Sequence, residues 1–178
     1  MNDSKISVRY AKALFETAVK NSQEDEVRGD IQTLLQALTS SEDFRLFLES
    51  PVIADSDKVK IYGEVFNGKI SKLTSDFFSL LVKNKRENFL KIICLNYLGF
   101  YSKSKNIRHV TITTATKAGE ETAKEIVSLI KQTDSTAKVE VLEKVDSSII
   151  GGLIIKIDDK EYDASIRTQL KKVKEKLK

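Results

Sequence analysis

Apolar residues recur at helical spacing through about residue 105 and alternate after it, so the chain reads as two halves. A first helix is expected from about Ser4 to Lys20. Ser22, with Asp25 three positions on, is expected to cap a second, whose stripe is Val27, Ile31, Leu34, Leu35 and Leu38. Ser40 or Ser41 can cap a short helix that buries Phe44, Phe47 and Leu48 and stops at Ser50-Pro51. Asp55 or Ser56 opens the next, with Val59, Tyr62, Val65 and Phe66 inward and Asn67-Gly68 as its left-handed stop. Leu73, Phe77, Leu80 and Leu81 mark a fifth helix. Phe89–Tyr101 is apolar on nearly every side, which predicts a central helix surrounded by others.

The second half changes period. Arg108–Ala115 alternates around Val110 and Ile112 and reads as a strand. Glu120–Lys131 is helical through Ala123, Ile126, Val127 and Ile130. Val139 and Val141 alternate again, Ser147-Ser148 interrupts, and Gly152–Ile157 is a continuous apolar strand. Asp158-Asp159 turns the chain into a short strand at Lys160–Tyr162. A last helix, from about Ala164, carries Ile166, Leu170, Val173 and Leu177 in a heptad-like row. The expected fold class is therefore α+β multidomain: a six-helix bundle over 1–105, then a small α/β domain over 106–178. The polar stretch Lys103–Ile107 marks the boundary.

Composition narrows the class without naming a function. Hydrophobic residues make up 40% and charged residues 31%, as in ordinary globular proteins. The net charge of +4 is too mild to demand a polyanionic partner. The single cysteine, Cys94, sits in an apolar helical run and reads as a small buried hydrophobe in a reducing compartment. No run approaches the ~20 apolar residues that span a bilayer, and the N-terminus lacks a signal-peptide core. A cytoplasmic protein is expected, reaching a membrane only through a partner.

Candidate chemistry is sparse. The only histidine, His109, has no second His or Cys to complete a metal set, and reads as a surface or edge-strand imidazole. Carboxylates such as Glu120-Glu121 and Glu125 stand beside lysines on helical faces, as solvated surface does. Gly151-Gly152 could be mistaken for a phosphate loop. It leads into a strand, however, and no Lys or Ser follows at the required offset, so a backbone bend or close packing is expected. The basic tail Lys171, Lys172, Lys174, Lys176 and Lys178 lacks interleaved aromatics, so nucleic-acid binding is not expected. No catalytic residue, metal site or cofactor is assigned.

What is left over is surface. The first helix has two adjacent apolar or small faces, Ala11-Leu14-Phe15-Ala18 and Tyr10-Ala13-Leu14-Thr17. Small residues beside a tyrosine let another helix approach closely. Two readings stay open on these residues alone: a partner surface, or two faces buried within the bundle.

Arg9–Ala18 (RYAKALFETA) resembles the opening helix of the delta subunit of bacterial F-type ATP synthase, related to the mitochondrial oligomycin-sensitivity-conferring protein. Phe77–Tyr97 is similar to that family's fifth and sixth helices, including the Asn84-x-Arg86 junction. Val139, Val141, Val145 and Asp146 lead into Ile149-x-Gly151-Gly152-Leu153-x-Ile155-Lys156, then Asp163-x-Ser165-Ile166-x-x-x-Leu170, which resembles its C-terminal signature. The likeness spans essentially the whole chain. It departs at Asp158 and Ala164, where glycine is common.

The resemblance implies a non-catalytic stator protein without cofactors, present once per complex and monomeric when isolated. Its groove for the N-terminal helix of an alpha subunit would lie between Tyr10, Ala13 and Leu14 on one side and Phe77, Leu80 and Asn84 on the other. The C-terminal domain would bind the end of the peripheral-stalk b subunit. Its signature residues are Ile149, Gly151, Gly152, Leu153, Ile155, Asp163 and Ser165, with Ile149–Ile157 and the last helix as candidate contacts. The implied location is the cytoplasmic face of the bacterial plasma membrane. A resemblance of architecture alone, to helical bundles of RNA-binding transcription factors, leaves an RNA-binding regulator as the alternative.

Overall fold

Among the described residues, eight α-helices and four strands follow in an order that keeps the first six helices together. The computed structural model describes residues 3–116 and 120–176. The first helices are α1 (Asp3–Lys20), α2 (Glu24–Ser40), α3 (Glu42–Glu49), α4 (Asp55–Val65), α5 (Lys72–Lys83) and α6 (Leu90–Ser104). Then come β1 (Ile107–Thr114), α7 (Glu120–Thr133), β2 (Lys138–Val145), β3 (Leu153–Ile157), β4 (Lys160–Asp163) and α8 (Ile166–Lys176). The chain divides into two compact units, 1–101 and 102–178, a few residues before the boundary expected at 105. Leu177 and Lys178, expected on the last helix, and the side chains of Glu120, Glu121 and Lys176 lie outside the described residues.

In the first unit the buried positions follow the predicted stripes: Ala11, Leu14 and Ala18 of α1, Val27, Ile31 and Leu34 of α2, and Leu48 of α3. Ser41 caps α3, its hydroxyl accepting the N–H of Phe44 at 3.1 Å. Tyr62 of α4 stacks on Phe78 of α5 with ring centroids 3.6 Å apart.

Three local expectations are corrected here. Ser22 does not cap α2; Gln23 holds that position without a side-chain bond. Ser22 instead ends α1 at φ 56°, where its N–H bonds Val19 O and that of Gln23 bonds Ala18 O. α4 opens at Asp55 as expected, with Ala54 at the cap position and no side-chain bond there, but its inward face differs. Val65 is exposed, and the inward position is taken by Lys58, whose ammonium reaches Glu87 Oε1 at 2.7 Å and Leu48 O at 3.0 Å. Nor is α6 wrapped on all sides. Leu90, Ile93, Cys94, Tyr97 and Tyr101 are buried, while Ile92 and Leu95 face solvent.

Burial suits Cys94 to the structural role expected of it; removal from water pushes its thiol up to about 12, so it stays protonated.

The second unit is a four-stranded sheet in the order β2-β1-β3-β4. β1 runs parallel to β2 through the α7 crossover, and β3 pairs antiparallel with both β1 and β4. Val110, Ile112 and Ile126 form its core, with Ala123, Ile130, Val139, Val141, Ile155 and Ile157 packed against them. His109 is exposed as expected, but β1 is internal, so it is not on an edge strand. Its Nε2 lies 2.8 Å from Ser102 Oγ and its Nδ1 3.4 Å from a Glu140 carboxylate oxygen. The Asp158 turn takes φ 52°, and its carboxylate accepts from Arg108 at 2.7 Å and from the His109 N–H at 3.2 Å. That bonding explains how aspartate serves where glycine is common.

Candidate partner-binding sites

The groove begins with how α5 is held. Asp30 of α2 is buried, and its Oδ2 accepts from Ser71 N at 2.9 Å, Ser71 Oγ at 2.5 Å and Thr74 Oγ1 at 2.7 Å. One carboxylate oxygen thereby ties the first turn of α5 to α2. Asp30→Ala strands these donors and is expected to cost about 2–3 kcal/mol in a denaturant titration. Asn84 closes the other end of α5, where its backbone and side-chain N–H groups both donate to Leu80 O, at 3.1 and 2.9 Å. Lys85 at φ 57° then turns the chain out.

Between α1 and α5 lies a groove of about 670 Å³. It is lined by Arg9, Tyr10, Ala13, Leu14 and Thr17 from α1 and by Leu73, Asp76, Phe77, Leu80 and Asn84 from α5. All six residues singled out in the sequence are in it. Leu14 and Phe77 are buried and form its floor; Leu80, 47% exposed, stands open in its wall. Tyr10 meets Phe77 edge-on, with centroids 6.4 Å apart. Thr17 Oγ1 donates to Ala13 O at 2.8 Å, and Asn84 also bonds within its own helix, so these polar groups make little demand on an occupant. Arg9, Thr17, Leu73 and Asp76 join the wall beyond the six. Positions 73, 76, 77, 80 and 84 share one helical face, so the period already contained that signal.

The signature of the second unit is built around close packing. Ile166 N donates to Gly151 O at 2.9 Å and Ala164 N to Leu153 O at 3.0 Å, which draws the start of α8 against the glycine pair. Gly152 has φ +74°, and a Cβ there would collide with the Ala164 carbonyl; one on Gly151 would meet Ile166 Cδ1 at 2.7 Å. The pair is a structural bend, as the sequence suggested. Gly152→Ala is expected to destabilise the second unit by about 2–4 kcal/mol, read in its unfolding transition.

Ser165 is buried and caps α8, accepting from Thr168 N at 3.2 Å. Asp163 accepts from Ser165 N at 2.8 Å and Thr168 Oγ1 at 2.7 Å, and the bonding from Ser165 and then Thr168 holds its carboxyl below the usual range. Ile149 is buried and Ile155 packs on the core, while Leu153 is half-buried. The stretch expected to offer an exposed apolar strand is thus an internal strand between β1 and β4. The exposed apolar row is on α8: Ile166, Leu170 and Val173.

No group of His, Cys, Asp or Glu among the described residues could hold a metal ion. The family model for the ATP synthase delta (OSCP) subunit matches residues 6–177. The chain belongs to the ATP synthase delta (OSCP) subunit family. Similar members are the delta subunits of Rickettsia massiliae, 35% identical over 100% of this chain and 97% of that one, and of Gloeobacter violaceus, 33% identical over 97% and 94%. A chain in the cryo-EM structure of the Toxoplasma gondii mitochondrial ATP synthase hexamer superposes with a TM-score of 0.77 at 25% identity, covering 96% of each.

A delta subunit is a structural stator component and not an enzyme. It links the catalytic head to the stator and so serves ATP synthesis and proton transport by the complex. It is a peripheral part of a membrane-associated assembly, and no helix among the described residues is long and apolar enough to cross a membrane. The comparisons lend the RNA-binding alternative no support.

Proposed function

We propose that the first unit is a six-helix bundle which sits on the catalytic head and receives the N-terminal helix of an alpha subunit in the α1–α5 groove. The observation carrying this reading is that Tyr10, Ala13, Leu14, Phe77, Leu80 and Asn84 line one open apolar groove. A groove with a buried floor and an exposed leucine suits an amphipathic helix, whose apolar face supplies anchors at i, i+3, i+4 and i+7. Ala13 keeps the wall low enough for close approach.

The second unit, on the same reading, binds the C-terminal end of the stalk b subunit. One copy per complex then spans head and stalk at the cytoplasmic face of a bacterial plasma membrane, and the isolated chain is a monomer. The mechanism is resistance to torque. Rotation of the central shaft would drag the hexamer round unless something held it to the membrane-fixed stalk. Two tethers on one chain convert the second binding event into an intramolecular one, so the link outlasts either contact alone. Buried apolar anchors slow dissociation at each end.

The test is a three-component assembly. Head lacking this subunit and soluble b segment should co-elute from a sizing column only when the chain is added. Co-elution of both without it, or failure to bridge with it, would overturn the proposal.

A further inference from the structure

The last helix stands almost alone. Ile166 reaches back to the glycine pair, and Arg167 lies 3.4 Å from the hydroxyl of Ser148 in the 3-10 turn at Ser147–Ile149. Beyond that first turn, every residue of α8 from Gln169 to Glu175 is exposed. Helices shorter than about 12 residues are marginal in water without packing. Yet α8 carries an apolar row, with Ile166, Leu170 and Val173 exposed by 41%, 56% and 53%.

The spacing of that row is 4 and then 3, the alternation of d and a positions along a two-helix seam. In that register Arg167 and Lys174 fall at e positions and Gln169 at g, the flanking sites that choose a partner by charge. Every charged flanking residue is therefore basic. Glu175 is the only acid within the helix, and it sits on the opposite face. The 11 residues of α8 carry the entire formal excess of +4 of the whole chain. The row is also narrow and contains no aromatic residue, whereas helices that lie in a lipid interface have a broad apolar face with Trp, Phe or Leu.

We propose that α8 is one half of a two-helix seam whose other half is an acidic amphipathic helix of the peripheral stalk. This rests on the reading of the second unit as the stalk-binding one, and it adds the chemistry of the partner: apolar residues at seam positions, Glu or Asp at the flanks. Attraction between the flanks sets register and speeds encounter, while the seam residues set the residence time. The link is consequently salt-sensitive, because exposed charges are screened within ~10 Å at 0.1 M salt.

The experiment titrates the full chain with four probes. These are a soluble b segment, a heptad peptide with Leu at a and d and Glu at e and g, its Lys counterpart, and phosphatidylglycerol vesicles. Binding of the b segment and the Glu peptide is expected, with a rise in helicity and an affinity that falls with salt. The pair Arg167→Glu and Lys174→Glu should weaken both about tenfold and transfer preference to the Lys peptide. The pair Lys69→Glu and Lys60→Glu, an equal charge change in the first unit, should alter neither. Leu170→Asp should abolish binding with the fold unchanged by circular dichroism.

Equal binding of the Lys peptide, binding of vesicles in place of peptides, or an undiminished b-segment affinity in the charge variants would each overturn the proposal. If the Glu peptide binds and the b segment does not, the charge matching at α8 holds and the stalk is the wrong partner.

Discussion

Ala13→Arg is expected to abolish capture of an alpha N-terminal helix while leaving the thermal unfolding of the chain unchanged. Ala13 is exposed in the wall of the groove, so a long side chain there meets no part of the fold. It does fill the space above Leu14 and Phe77, which an incoming helix would need, and it places a charge among apolar anchors. Loss of the contact should exceed about 100-fold in affinity, or roughly 3 kcal/mol, the scale of a central interface residue. Tyr10→Asp should act similarly by removing the edge contact to Phe77. Retention of wild-type affinity in the Arg variant, measured by calorimetry, would show that the occupant does not pass over Ala13.

The second large effect concerns stability. Lys58→Ala should lower the unfolding free energy of the first unit by about 3–5 kcal/mol, because it leaves the Glu87 carboxylate buried without its cation. Both side chains of the pair are almost fully enclosed, at 4% and 6% exposure. Glu87 Oε2 is buried with no hydrogen-bond partner among the described residues, so nothing within reach substitutes for the lysine. Removing both charges together, as Lys58→Met with Glu87→Leu, should restore most of the loss, since the desolvation cost disappears with the pair. Denaturant titration of the single and double variants measures the coupling. A single variant as stable as the wild type would mean that water reaches the carboxylate.

Elements were legible where apolar period and punctuation agreed. The strands around Gly152–Ile157 and the α3 cap at Ser41 followed from alternation and from a capping hydroxyl. The groove was partly legible because α1 carries more small and apolar positions than its buried stripe of Ala11, Leu14 and Ala18 requires. Its partner face on α5 was suggested only through the family resemblance.

The failures have distinct causes. Ser22 looked like a cap, but chain geometry needed a left-handed stop at that point, and no glycine announced it. The buried Lys58 went unmarked because its partner Glu87 lies 29 residues away, beyond any local pattern. An apolar circumference told that α6 could be buried, while exposure of Ile92 and Leu95 depends on what else is there to cover them. The placement of His109 depended on strand order. Sequence alternation does not reveal that a parallel crossover and a returning hairpin flank β1 on both sides.

The central claim is that the α1–α5 groove holds the catalytic head through an alpha N-terminal helix. It is tested most directly by titrating the isotopically labelled chain with a synthetic alpha N-terminal peptide and following the amide resonances. The account predicts saturable shifts concentrated at Tyr10, Ala13, Thr17, Phe77, Leu80 and Asn84, with the resonances of residues 107–176 unmoved. Absence of binding, or shifts that gather in the second unit and spare the groove, would contradict it.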